Sequence, residues 1–261
     1  PAWVTIASGE NSGTYVDAAA MGAVGSSAER YYRVIVEPAG AESNHAGVYM
    51  ITSCNATFKL HGIPLDVYNT DIQTLIGYQC TGSFSTAAAD QLDTWKGNDY
   101  VNNMLLPSPS GYGATYDGVW YNMRQGAVSG DTLDWGEGFW LTTKTGEEYI
   151  YVEGEVPSMD KTWNLGAGQV MLGHPYPVPM DMNAGVSDNL NYTGTTGGTV
   201  ATADSIHFRD CGAAYQVNFI DTTVRWWDST NSVWSVETLE AGEGFWLKTL
   251  GGVNWSLPRP Y

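Results

Sequence analysis

Charge is scarce in this sequence, and positive charge scarcest. Only 15% of the 261 residues are Asp, Glu, Lys or Arg, and 11 basic residues face 28 acidic ones, a formal net charge of −17. Phosphate-binding surfaces need clustered Lys and Arg. The basic residues here are scattered, which argues against nucleic acid as a partner and against an anionic membrane surface. No apolar run reaches the roughly 18 residues of a membrane helix, so no membrane span is expected. No signal peptide is present, and the chain opens Pro1-Ala2-Trp3-Val4 without Met, which reads as the processed end of an exported protein.

Cysteine is nearly absent too. Cys54, Cys80 and Cys211 are too far apart for any CxxC zinc or redox pattern. In an exported chain one pair can be a disulfide. Cys54–Cys80 is the expected pair because both fall in one repeat unit, although spacing alone does not fix it. Catalytic signatures are also missing. His45, His61, His174 and His207 form no HExxH or His-x-His pattern, so no metal is expected. There is no Gly-x-Ser-x-Gly elbow, P-loop or dinucleotide fingerprint, and no cofactor is expected.

What the chain has is a repeat. Thr132 to Leu141 (TLDWGEGFWL) recurs as Thr238 to Leu247 (TLEAGEGFWL). Val119-Trp120-Tyr121 matches Arg225-Trp226-Trp227, Ala89-Asp90-Gln91-Leu92 matches Ala203-Asp204-Ser205-Ile206, and Gly62-Ile63-Pro64 sits opposite Gly173-His174-Pro175. Tyr100 to Leu105 resembles Tyr215 to Ile220. The first copy carries extra residues near Leu106 to Gly118, rich in Pro, Gly and Ser, as an inserted loop would be. The expected organisation is an N-terminal arm and β segment over 1–53, unit one over 54–157 and unit two over 160–261.

Within each unit the signals are those of strands. Gly136, Glu137 and Gly138, with their copies Gly242, Glu243 and Gly244, form a glycine turn. The turn leads into short apolar strands bearing Phe139, Trp140 and Leu141, or Phe245, Trp246 and Leu247. Tyr31–Val36, Val48–Ile51, Glu148–Val152 and Tyr215–Ile220 are β-branched or alternating. Arg225–Asp228 and Ser232–Val236 read as a hairpin. Helix signals are brief: Asn69 or Thr70 capping Asp71–Gly77, and Ser85-Thr86 capping a turn. The fold class expected is mainly β with a few short helices, as two pseudo-symmetric β-sandwich-like units plus an N-terminal β segment.

Trp163-Asn164-Leu165, Gly173-His174-Pro175-Tyr176-Pro177, Ala203-Asp204 and the Gly-Glu-Gly-Phe-Trp-Leu motif together resemble repeats in uncharacterised exported proteins of Verrucomicrobia-type and related bacteria. The resemblance covers about residues 54 to 261. It implies an exported β protein and brings no functional residues with it.

Two carboxylates, Glu137 and Glu243, recur in the strongest match. A glycosidase would use such residues as acid and base, but symmetric copies in separate units fit backbone bonding in the glycine turn better. Asp90 and Asp204 recur as well and read as helix N-terminal residues. Asp181 to Asp188 is a faint calcium-loop pattern, without the closing Glu. Aromatics are the strongest lead, at 11 Trp and 16 Tyr against 6 Phe. Trp120, Trp226, Trp227 and Trp234 are the candidate ligand or interface residues, whereas Trp140 and Trp246 read as core. The functional expectation is a non-catalytic, secreted extracellular structural protein: a self-assembling subunit of a filament, sheath or surface layer whose partners are copies of itself. A carbohydrate-binding or adhesive module on the cell surface, taking glycans, is the alternative. A hydrolase with an unfamiliar site ranks third.

Overall fold

The computed structural model describes the backbone of residues 30–32, 35–36 and 41–42, and all of 46–54, 57–144, 149–183, 190–209 and 211–260. The chain is mainly β, with one four-residue helix, Ile72–Leu75, and two 3-10 turns among the described residues. Asp71 caps that helix by accepting from the Thr74 amide at 3.0 Å. Asn69, one of the two caps expected, instead bonds the Asp71 amide.

Each unit is a layer of six antiparallel strands facing a smaller layer. In unit one the six run in the order Lys59–Gly62, Gly138–Thr142, Gln91–Lys96, Asp99–Leu105, Trp120–Asn122, Ala127–Val128, counted from one edge. In unit two they run Gly168–Gly173, Gly244–Thr249, Ser205–Phe208, Gln216–Ile220, Trp226–Asp228, Val233–Trp234. The two orders are the same, strand for strand. The second layer of unit one pairs Ala46–Thr52 with Tyr149–Glu155 over seven residues, flanked by Arg30–Tyr32 and Asp66–Val67. Its counterpart pairs Lys161–Leu165 with Val253–Leu257. The structural repeat therefore draws in the strand at 46–52, upstream of the residue 54 boundary read from sequence. The sequence match there is too weak to show it.

The cores follow from strand alternation. Phe139 and Leu141 point into unit one with Leu92, Leu105, Trp120, Ile150 and Val152; Phe245 and Leu247 point into unit two with Ile206, Ile220, Trp226, Val253 and Trp255. Trp120 is 1% exposed and Trp226 0%. Neither can meet a ligand, which corrects two of the four tryptophans singled out from sequence. Both face inward because each pairs with an inward residue of the neighbouring strand, Leu105 or Ile220. Fully burying such rings stabilises by roughly 2–3 kcal/mol each.

The expected disulfide is also corrected. Cys54 pairs with Cys211, Cα atoms 5.9 Å apart, and Cys80 packs as a thiol against the unit-one core. Membership of one unit was the wrong criterion. The chain end leaving Thr52 and the loop following Phe208 meet across the junction, so the bond ties unit one to unit two.

Candidate functional site

The two units join edge to edge along a seam of backbone. The Gly62 amide donates to the Gly242 carbonyl at 2.8 Å, and the Gly173 amide donates to Gly136 at 3.0 Å. These bonds are each other's copies. Lone bridges join His61 to Glu243 and Leu172 to Glu137 in the same symmetric way. A Cβ on Gly62 would lie 2.9 Å from the Glu243 carbonyl oxygen; one on Gly173 would lie 2.7 Å from that of Glu137. Only glycine lets the chains approach so closely. Gly136 and Gly242 adopt φ of 75° and 64°, so the repeated Gly-Glu-Gly serves both the turn and the junction.

The repeated carboxylates are spent on structure. Glu137 Oε2 accepts from the Asp134 amide and Glu243 Oε2 from the Glu240 amide, both at 3.0 Å. Glu137 also pairs with Lys96. Glu243 is pushed up to about 7, first by burial and then by the nearby charge of Glu240. Asp90 and Asp204 do not start helices. Asp204 is buried and accepts from the amides of Thr195 at 2.8 Å and Leu250 at 2.6 Å, and from the Tyr192 hydroxyl at 2.7 Å. Asp90 holds Thr81 and Lys144 in the corresponding way, at 2.6 and 2.8 Å. A short polar side chain at a loop junction satisfies amides that the strands leave unpaired.

On the face opposite each core, Leu60 and Trp140 of unit one meet Met171 and Trp246 of unit two in a shared apolar cluster. Sequence register makes Leu60 the copy of Met171 and Trp140 the copy of Trp246. The rings read as core are therefore buried between the units rather than within them. Around this cluster the copies diverge. Phe58 packs edge-on to Trp140 at 6.3 Å, and the Arg209 guanidinium lies 5.8 Å from that ring. On the other side the position of Phe58 is taken by Gln169, and Trp95 stands where unit two has Arg209. A half-open cleft of about 250 Å³ remains there, lined by Trp95, Tyr100, Gln169, His207, Tyr215 and Trp246.

The cleft walls are aromatic and nearly perpendicular. Trp95 lies 5.1 Å from Trp246 at 82°, and Tyr100 lies 4.9 Å from Trp95 at 81°. Ser205 Oγ is 2.9 Å from His207 Nε2 and fixes that ring. Burial and then the charge of Lys248 push the imidazole below its ordinary range, which favours its neutral form. Asp93, two residues before Trp95 on the same strand face, is raised to about 6, chiefly by burial and against the hydrogen bonds of Asn102 and Asn103. Of the sequence candidates, Trp227 and Trp234 form a separate half-buried pair, centroids 5.0 Å apart, with Arg225 over Trp234 at 4.7 Å. Sequence reasoning named Trp246 only as structure and missed the other five lining residues. The mismatches Phe58/Gln169 and Trp95/Arg209 inside otherwise aligned strands were the available signal.

A second feature concerns hydrogen bonding. In unit one, Arg30–Tyr32 adds a strand to the edge of Ala46–Thr52, with Arg30 opposite Val48 and Tyr32 opposite Ala46. In unit two the equivalent edge, along Lys161–Leu165, carries no such strand among the described residues. The Lys161 amide is turned inward, donating at 2.8 Å to the Tyr176 hydroxyl, which donates on to the Leu257 carbonyl. Alternation turns the Thr162 amide outward.

Among the described residues no group of three or more His, Cys, Asp or Glu could hold a metal ion, and no helix is long and apolar enough to cross a membrane. The Asp181–Asp188 pattern falls mostly outside the described residues, which stop at 183 and resume at 190. No protein-family model, no curated protein and no solved structure matches this chain.

Proposed function

We propose that this chain is a non-catalytic, exported structural protein that assembles with copies of itself by strand addition. The observation that carries this reading is the edge at Lys161–Leu165, on which no strand lies among the described residues, whereas its counterpart in unit one is filled by Arg30–Tyr32. An exposed row of outward amides and carbonyls is a template for another strand. The occupant we assign is residues 1–29 of a second copy. A segment of that length can span at most roughly 95 Å, enough to cross to a neighbour. The reading draws further support from the disulfide joining the units, which fits an oxidising compartment, and from the tyrosines Tyr68, Tyr78, Tyr149 and Tyr151, all exposed on unit one. No carboxylate lines the seam cleft, so it lacks the paired acids a glycosidase requires.

The test is electron microscopy and sedimentation of the purified full chain over a range of concentrations, beside a 1–29 deletion and Thr162→Pro. The expected result is ordered polymer from the full chain and none from either variant. Pro removes the Thr162 amide, an outward donor to a strand placed as Arg30–Tyr32 is. A full chain that stays monomeric at high concentration, or variants that polymerise as well as the parent, refutes the assignment.

A further inference from the structure

We propose that the seam cleft is a binding subsite for a neutral saccharide, sized for a single pyranose ring. Its volume, about 250 Å³, is the share of about eight water molecules and below the range of about 300–1,000 Å³ typical of larger ligands. That matches one sugar ring and little more.

The lining chemistry selects the class. Trp95, Tyr100 and Tyr215 present apolar ring surface bearing polar handles, with the buried Trp246 behind them. The C–H faces of a pyranose pack against such surface. Gln169, His207 and the two tyrosine hydroxyls supply neutral donors and acceptors in one small space, the complement of a ring of hydroxyls. No Lys, Arg, Asp or Glu side chain lines the cleft, and its lining offers neutral groups for a neutral ligand. The net charge of −17 further repels anions.

The pseudo-symmetry shows why the space exists on one side only. Phe58 fills the corresponding volume beside Trp140, and Arg209 lies across that ring. Gln169 replaces Phe58, so an amide side chain lines the cleft where the first copy has a ring. The pre-set walls are held from both units. Trp95 Nε1 donates to the Gln169 carbonyl at 3.2 Å, across the seam, and Arg209 rests 5.3 Å from the Tyr215 ring. A cleft whose walls come from two fused copies is fixed by the disulfide and the glycine seam, so little ordering cost remains on binding.

The site is separate from the open strand edge, and its test is independent of polymer formation. The full chain is titrated with cellotetraose, chitotriose, maltotetraose and mannotriose to about 10 mM, following tryptophan fluorescence and calorimetric heat. One of these probes is expected to give a saturable response. Gln169→Phe, which installs the residue of the first copy, is expected to weaken that response about tenfold or more with the unfolding midpoint unchanged. Tyr215→Ala removes the opposite wall from an exposed position and is expected to weaken binding as well, which keeps the test valid if Gln169→Phe does not fold. No saturable response to any of the four probes overturns the proposal. So does an undiminished response in the folded variants.

Discussion

Replacing Glu243 by Gln isolates the electrostatic cost of the seam. In the folded chain this carboxyl is held at about 7 against an ordinary 4.5, because burial at the junction and the charges of Glu240 and Glu237 outweigh the hydrogen bond from the Glu240 amide and the charge of Lys59. The folded-state value is the higher one, so folding favours the protonated form. The stability from this group is therefore fully present below about pH 4.5 and is lost as pH rises through about 7. A difference of about 2.5 pH units at 1.36 kcal/mol per unit sets a ceiling of about 3 kcal/mol. Gln keeps an acceptor for the Glu240 amide and carries no charge, so Glu243→Gln is expected to be about 1–3 kcal/mol more stable than the parent at pH 8 and nearly equal to it at pH 4.5. Urea unfolding followed by tryptophan fluorescence at several pH values between these limits measures the difference. Asp93, raised to about 6, adds its own slope between about pH 4 and 6, but it is common to both proteins and cancels in the comparison. A difference independent of pH, or a Gln variant less stable at pH 8, refutes the reasoning.

Cys54→Ser opens a cross-link that spans 157 residues of sequence and is expected to lower stability by about 2–5 kcal/mol, read as a lower urea midpoint with the far-ultraviolet spectrum retained. Gly62→Ala drives a methyl group against the backbone of unit two and should cost at least about 1–3 kcal/mol, while alanine at Gly166, where nothing lies within 4 Å of a new Cβ, should be close to neutral. Asp204→Asn sets an amide against one of the backbone donors it now accepts from and should cost about 1–3 kcal/mol or more, measured by thermal unfolding.

The fold was legible where local pattern and repetition coincide. Gly-Glu-Gly-Phe-Trp-Leu marked turn and strand in both copies, and the backbone-bonding role of its glutamate follows from the chemistry of a carboxylate beside a glycine turn. The hairpin of Trp226–Asp228 with Val233–Trp234 and the strand Gln216–Ile220 follow from alternation. Long-range facts were not legible. Cys54 meets Cys211 because two units pack edge to edge, a geometry that no spacing encodes. Trp226 and Trp227 are neighbours on one strand, and nothing in their identity tells which faces the core. Strand register decides it, sending Trp226 inward opposite Ile220. Of the candidate site, Trp246 stood out in the repeat and Trp95 and Gln169 only as mismatches within it; the lining residues come from strands whose outward faces meet only after the units join.

The duplicated parts of this molecule are consumed by folding: the glycines in the seam, the aspartates in loop clamps, the inward tryptophans in two cores. Where the copies differ, a side chain has been released from a structural demand that its twin still meets. Three such places stand out. The insertion after Leu105 packs Leu106, Tyr116 and Val119 around Met104 and Tyr121 in unit one, whereas in unit two the shorter connection leaves Trp227 and Trp234 half-buried, with Arg225 over Trp234. The exchange of Phe58 for Gln169 opens the cleft. Among the described residues, the strand that closes one outer edge has no counterpart on the other. A duplicated sandwich that needed only stability would lose nothing by keeping these positions alike, so divergence at the edge and at the cleft, with the glycine seam between them unchanged, is what contact with other molecules would leave behind.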